Sequence, residues 1–112
     1  MARIIIGGYQ RDLNFNLPED ICRAIQNATI NWLRSGKPLF LRVGGEVEGA
    51  DMQTVAWIGQ QGSVRFEYDA EIFPELNEEL AAVYQQHLEK FGGIIIPSRA
   101  EADMLDAAPV PG

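Results

Sequence analysis

His87 and Cys22 are the only histidine and the only cysteine in the chain. A thiol or hydroxyl nucleophile needs a base within reach, and a site built on imidazole and thiolate needs several such ligands together. One residue of each kind assembles neither, so no catalytic, cofactor-binding or metal-ligating residue is assigned from the sequence. His87 follows Leu80 by seven residues, close to an apolar helical stripe, where a lone histidine is packed or partly exposed. Cys22 neighbours Ile21 and reads as a small packing residue. Three carboxylates near His87 in sequence, Glu78, Glu79 and Glu89, are expected on the solvent side of their helix.

Two acidic groupings invite chemistry more directly. Gly44-Gly45-Glu46-Val47-Glu48-Gly49-Ala50-Asp51 sets three carboxylates among glycines, a composition suited to calcium. Its spacing lacks the alternate oxygen ligands and distal Glu of a calcium-binding hand, so a solvated hairpin loop is the better reading. Glu67, Asp69, Glu71 and Glu75 could pair for acid–base or glycosidic work, but they fall where a strand exits toward a helix, a place normally polar. Gly7-Gly8 after a strand resembles the start of a phosphate loop. The next segment reads as another strand, without the helix N-terminus or the Lys-Ser/Thr step such a loop requires.

At 112 residues, 46% of them hydrophobic, the chain can bury one core. Its net charge of −7 opposes phosphate backbones and anionic membrane surfaces, and suits a basic partner or a merely solvated surface. The one cysteine gives no internal disulfide, and the apolar run at Ile4-Ile5-Ile6 is far too short for a leader or a membrane span. A soluble, cytoplasmic protein is the resulting expectation.

The elements that must position these residues are legible in order. Arg3–Gly8, with its β-branched run, predicts a strand buried on both faces. Leu13-Asn14-Phe15-Asn16-Leu17 alternates as a second strand, forming a hairpin with the first. A first helix opens at Pro18-Glu19-Asp20, carries Ile21, Ala24, Ile25, Ala28, Trp32 and Leu33 on one face, and stops at Gly36. Three meander strands are expected next: Leu39–Val43, Gln53–Ile58 and Ser63–Asp69, with a turn at Gly59-Gln60-Gln61-Gly62. Val55 and Trp57 point one way, Ala56 and Ile58 the other. Trp57 either joins the core, the expected reading, or joins Val55 and Phe40 on an exposed face too apolar to leave wet. A second helix is expected to open at Phe73-Pro74-Glu75, with Leu76, Leu80, Val83, Tyr84, Leu88 and Phe91 as its stripe and Gly92-Gly93 as its end. Ile94-Ile95-Ile96 closes the order. Each half runs strand, loop, Pro-Glu, helix, glycine stop, strand, a plan compatible with internal duplication.

The fold expected is therefore α+β: a mainly antiparallel sheet of five or six strands with two amphipathic helices packed on one face. Residues 1–98 are read as a single α+β domain and 99–112 as a flexible acidic tail rich in Ala and Pro.

Several short stretches carry a resemblance: Ile6-Gly7, Leu33-Arg34-Ser35-Gly36, Trp57-Ile58, Val64-Arg65-Phe66, Pro74-Glu75-Leu76-Asn77, and Gly93-Ile94 leading to Ile96-Pro97. On these the chain resembles a family of short uncharacterised proteins from actinobacteria and their phages. Some proteins resembling it are labelled DNA ligases, but the Lys-x-Asp-Gly nucleotidyl-transfer motif is absent here and the chain is too small for that chemistry. The resemblance implies the fold and supplies no activity.

Function is expected to be non-catalytic: a protein-interaction module acting through an apolar sheet face or strand edge, with self-association as a homodimer among its forms. One alternative is a small-ligand or nucleotide-sequestering protein using a cleft between sheet and helices, with Arg11, Arg42 and Arg65 as anion contacts. A weaker one is a hydrolase using Glu67 or Asp69 with His87. An acidic mimic of nucleic acid is also conceivable, against the modest charge and the scattered basic residues.

Overall fold

A computed structural model of the chain describes residues 2–7, 13–47, 50–59 and 63–96. The element order is β1 (Ala2–Ile6), β2 (Leu13–Leu17), α1 (Glu19–Arg34), β3 (Leu39–Val47), β4 (Ala50–Ile58), β5 (Val64–Tyr68), α2 (Glu78–Phe91) and β6 (Gly93–Ile96). The α+β class and the two helices are as expected. In place of one sheet of five or six strands there are two sheets of three, ordered β2-β1-β5 and β4-β3-β6.

The division follows from where β5 pairs. A meander would have placed β5 beside β4, but β5 runs antiparallel to β1, with Ile4 opposite Phe66, and the Gly7 N–H donates to the Ser63 carbonyl at 2.8 Å. β1 thus gains neighbours on both sides, which suits a strand whose three isoleucines are all buried. In the second sheet β3 is central, antiparallel to β4 and parallel to β6. The β3–β4 hairpin pairs as far as Val47↔Ala50, so most of the expected acidic loop is strand. Each added rung of the ladder satisfies backbone groups, which offsets the poor strand preference of Gly44 and Gly45.

Both helices carry the chain from the first sheet to the second. β2 and β5, the strands before α1 and α2, flank β1, while β3 and β6, the strands after them, lie side by side. The shared plan of the two halves is therefore a shared path through the fold. Each path ends at a left-handed glycine: Gly36 at φ 78° and Gly92 at φ 74°. α2 starts at Glu78, later than Phe73-Pro74-Glu75 suggested, because the Asn77 side chain caps it by accepting the Leu80 N–H at 3.1 Å.

One apolar core unites these layers. Ala2, Ile4 and Ile6 from β1, Cys22, Ala24, Ile25 and Ala28 from α1, Leu39, Leu41 and Val43 from β3, and Tyr84 and Leu88 from α2 all meet in it. Val64, Phe66 and Tyr68 pack against it from β5, as their alternation indicated. Two members of the expected α2 stripe, Val83 and Phe91, are exposed instead, and the helix enters the core through Ala81, Tyr84 and Leu88. The residues expected to form the tail lie outside those described.

Gly93 fixes a detail of the second sheet. It pairs with Phe40, and a Cβ added there would come within 2.5 Å of the Phe40 ring. The ring lies over the glycine backbone, a contact that no other residue at 93 permits without displacing it. Gly93→Ala should cost about 1–3 kcal/mol in urea unfolding, the usual penalty of overpacking, and much less when Phe40 is already alanine. Equal costs in the two backgrounds would show that the ring is not the obstacle.

Candidate interaction surface

The chemistry-bearing side chains are held apart from one another. His87 sits half-buried on α2 in edge contacts with Tyr84 (ring centroids 5.6 Å apart) and Phe91 (6.2 Å). Its Nδ1 is buried without a hydrogen-bond partner. A general base has to reach the proton it takes, and Nδ1, closed in by the protein, is not placed to do so. Glu78, Glu79 and Glu89 are exposed, as expected.

Cys22 is fully buried, and its thiol points at the Arg3 carbonyl at 3.9 Å. Burial pushes the thiol pKa up, against a weaker downward pull from the Tyr68 hydroxyl. A neutral, enclosed thiol is a packing group. Tyr68 donates to the Gln26 side-chain oxygen, and burial first, with Cys22 second, raises its pKa above the ordinary phenol value while Arg23 opposes the rise.

Glu67 and Asp69 are bound to Arg3. The guanidinium grips Asp69 through two bonds, at 3.1 and 3.2 Å, and reaches Glu67 at 3.3 Å, where Arg65 adds a contact at 3.0 Å. Cross-strand register explains the network, since Arg3 lies directly opposite Glu67. These carboxylates occupy the face of β5 away from the core, and His87 lies on a helix packed into that core. The three do not form one site. Arg65 serves Glu67 and Arg42 belongs to the second sheet, so these two do not line one cleft; Arg11 lies outside the described residues. A shallow groove of about 400 Å³ between α1 and α2 is lined by Asn27, Asn31, Leu76, Glu78, Ala81, Ala82 and Gln85, without a cation. Among the described residues no group of three or more His, Cys, Asp or Glu could hold a metal ion.

The outer face of the second sheet has a different character. Register aligns Gly93, Phe40 and Trp57 in one row across it, and Ile95, Arg42 and Val55 in the next. Alternation sends their neighbours Leu39, Leu41, Ala56, Ile58, Ile94 and Ile96 into the core. The Phe40 ring lies over Gly93 and is half-buried, as is Ile95, whereas Val55 and Trp57 are 65% and 60% exposed. The expectation that Trp57 is a core residue is thus overturned. Ala56 and Ile58 face the helices, and strand parity leaves Trp57 no route inward.

A second exposed apolar spot was not anticipated. Ile72 and Phe73 project from the segment between β5 and α2, where Phe73 meets the Tyr68 ring edge-on at 5.3 Å and lies under Arg23 at 4.8 Å. Arg23 also donates to the Pro74 carbonyl at 3.2 Å, which ties the segment to α1. Reading Phe73-Pro74 as a helix start concealed it.

Among the described residues no helix is long and apolar enough to cross a membrane. Comparison with known proteins gives no match to a family model, a curated protein or a solved structure.

Arg3 holds the Asp69 carboxyl below its usual range by hydrogen bonding and by charge. A carboxyl depressed in the folded state contributes stability above its unfolded pKa and loses it as pH falls through the folded value. Asp69→Asn should therefore lower the melting temperature slightly at pH 7, with the gap to the wild type closing below the ordinary carboxylate range. A gap that widens in acid would contradict this assignment. Cys22 should resist a thiol reagent such as Ellman's in the native chain and react fully in denaturant; rapid native labelling would show that the core admits solvent.

Proposed function

We propose that the chain is a non-catalytic protein-interaction module whose docking surface is the outer face of the β4-β3-β6 sheet. The observation that carries this reading is the joint exposure of Trp57 and Val55 on one sheet face, beside Phe40, Ile95 and Arg42. Contiguous apolar surface of this kind is characteristic of binding sites, and Trp and Arg are the residues most enriched at interface hot spots. The placement of the reactive side chains lends further support. Cys22 is enclosed, and Glu67 and Asp69 are engaged by Arg3. With a net charge of −7, the module suits a partner whose contact surface is apolar and neutral or basic. A cytoplasmic setting belongs to the same proposal.

A second reading, a small polar ligand held between the helices, draws on the groove of about 400 Å³ lined by Asn27, Asn31, Glu78 and Gln85. Its volume falls within the range of ligand sites, but the groove is shallow and open, so its walls do not exclude water. Nucleotides fit it poorly, since Glu78 is the only charged group there.

Val55→Ser and Trp57→Ser should leave the melting temperature nearly unchanged, because both side chains are largely exposed. In a pull-down from the source organism's extract, proteins retained by the wild-type chain should be lost from the folded Trp57→Ser variant. Identical retention by the two forms removes the reading. A thermal shift with a small metabolite that Asn27→Leu abolishes would favour the groove instead.

A further inference from the structure

Among the described residues the two sheets have four edge strands, β2, β5, β4 and β6. An unpaired edge is a template for another strand, and proteins blunt it with short strands, prolines or charges. Three of the four edges carry such devices. β2 has five residues and runs directly into Pro18; β5 has five and carries Arg65 and Glu67; β6 has four, with Pro97 next in sequence. β4 differs from them. It has nine residues, no proline or lysine, and a single charged residue, Asp51.

From this contrast we infer that β4 is a homodimerisation edge, pairing antiparallel with β4 of a second copy about a two-fold axis near Val55. The inference builds on the interaction reading and names the partner. An antiparallel edge is its own complement under two-fold symmetry, because each strand offers the backbone groups that the other lacks. Charge also selects this edge for a second copy of the chain. Two molecules each at −7 repel wherever their acidic surfaces meet, but Met52 to Val64 is the longest stretch of the sequence without a charged residue, and it contains most of β4. Pairing yields one six-stranded sheet, ordered β6-β3-β4-β4-β3-β6. The two-fold axis stands normal to the sheet, so both outer faces lie on the same side. The Trp57 and Val55 side chains of the two copies then merge into one apolar platform, twice the size of that on a single chain.

Sedimentation equilibrium across a concentration series tests this, with hydrogen exchange as the second readout. Residues opposite or diagonal across an antiparallel pair lie within about 8 Å, so Val55→Lys and Val55→Glu each place like charges together at the axis. Each variant alone should weaken association roughly tenfold or more, and an equimolar mixture of the two should restore it. General electrostatics predicts the opposite for Val55→Lys, which reduces the negative charge of each molecule. Exchange of the β4 amides should slow as wild-type concentration rises, while that of the β2 amides stays constant.

A wild-type monomer at every concentration overturns the inference, as does a dimer indifferent to both variants, a mixture that fails to re-form it, or unchanged β4 exchange. If the chain is monomeric yet still retains an extract protein through Trp57, only the second copy is lost and the docking face stands. If it dimerises with the expected charge pattern but retains nothing, the edge stands without the docking reading. Circular dichroism of both Val55 variants confirms that the comparison is between folded chains.

Discussion

Burial of the inward faces of β1 and β3 in one shared core is the constraint on which the rest of the molecule depends. Ile4 and Ile6 enter it from one sheet, Leu39, Leu41 and Val43 from the other, and Ile25, Ala28 and Leu88 join from the helices. Each sheet spends one face on this core, and strand alternation fixes which residues the opposite face must carry. A one-residue slip in either sheet would exchange the two sets and bring Trp57 or Arg3 into the interior. The surface chemistry is therefore set by the same contacts that hold the fold together.

The two outer faces meet that constraint differently. On the first sheet Arg3, Arg65, Glu67 and Asp69 form a ladder of ion pairs beside Asn14 and Asn16, a wet face of ordinary kind. Exposed pairs of this sort add little stability, but they leave the face no apolar surface to offer. On the second sheet Phe40 lies over Gly93, and Val55 and Trp57 are largely exposed, with Arg42 beside Val55 in its row. Glycine at 93 lets the Phe40 ring lie against β6. Among the described strands the same sheet carries the one long edge without proline or lysine, so the apolar face and the open edge converge on β4.

Local elements were legible wherever the signals were short-range. The β1–β2 hairpin, the first helix with its stop at Gly36, and the alternation of β5 follow from residue type and period, and the structure holds all three. The start of α2 was obscured because Pro74 offers a helix signal, whereas the Asn77 side chain makes the actual cap. The extension of β3 through Gly44 and Gly45 was hidden for a related reason. Glycine pairs read as breaks, and a ladder can carry them when a hairpin closes it.

By itself the sequence determined the order and type of the strands and helices, the acidic balance, the lack of a set of residues from which a thiol or imidazole site could be built, and the parity that puts Val55 and Trp57 on the same side of their strand. Only the tertiary structure decided which side that is, because parity records that two faces differ and the helices choose which one they cover. It also decided that β5 pairs with β1 and not with β4. Long-range pairing depends on which partner completes the core, and no local spacing records that choice. From it came two sheets in place of one, and an edge at β4 that a continuous meander would have closed.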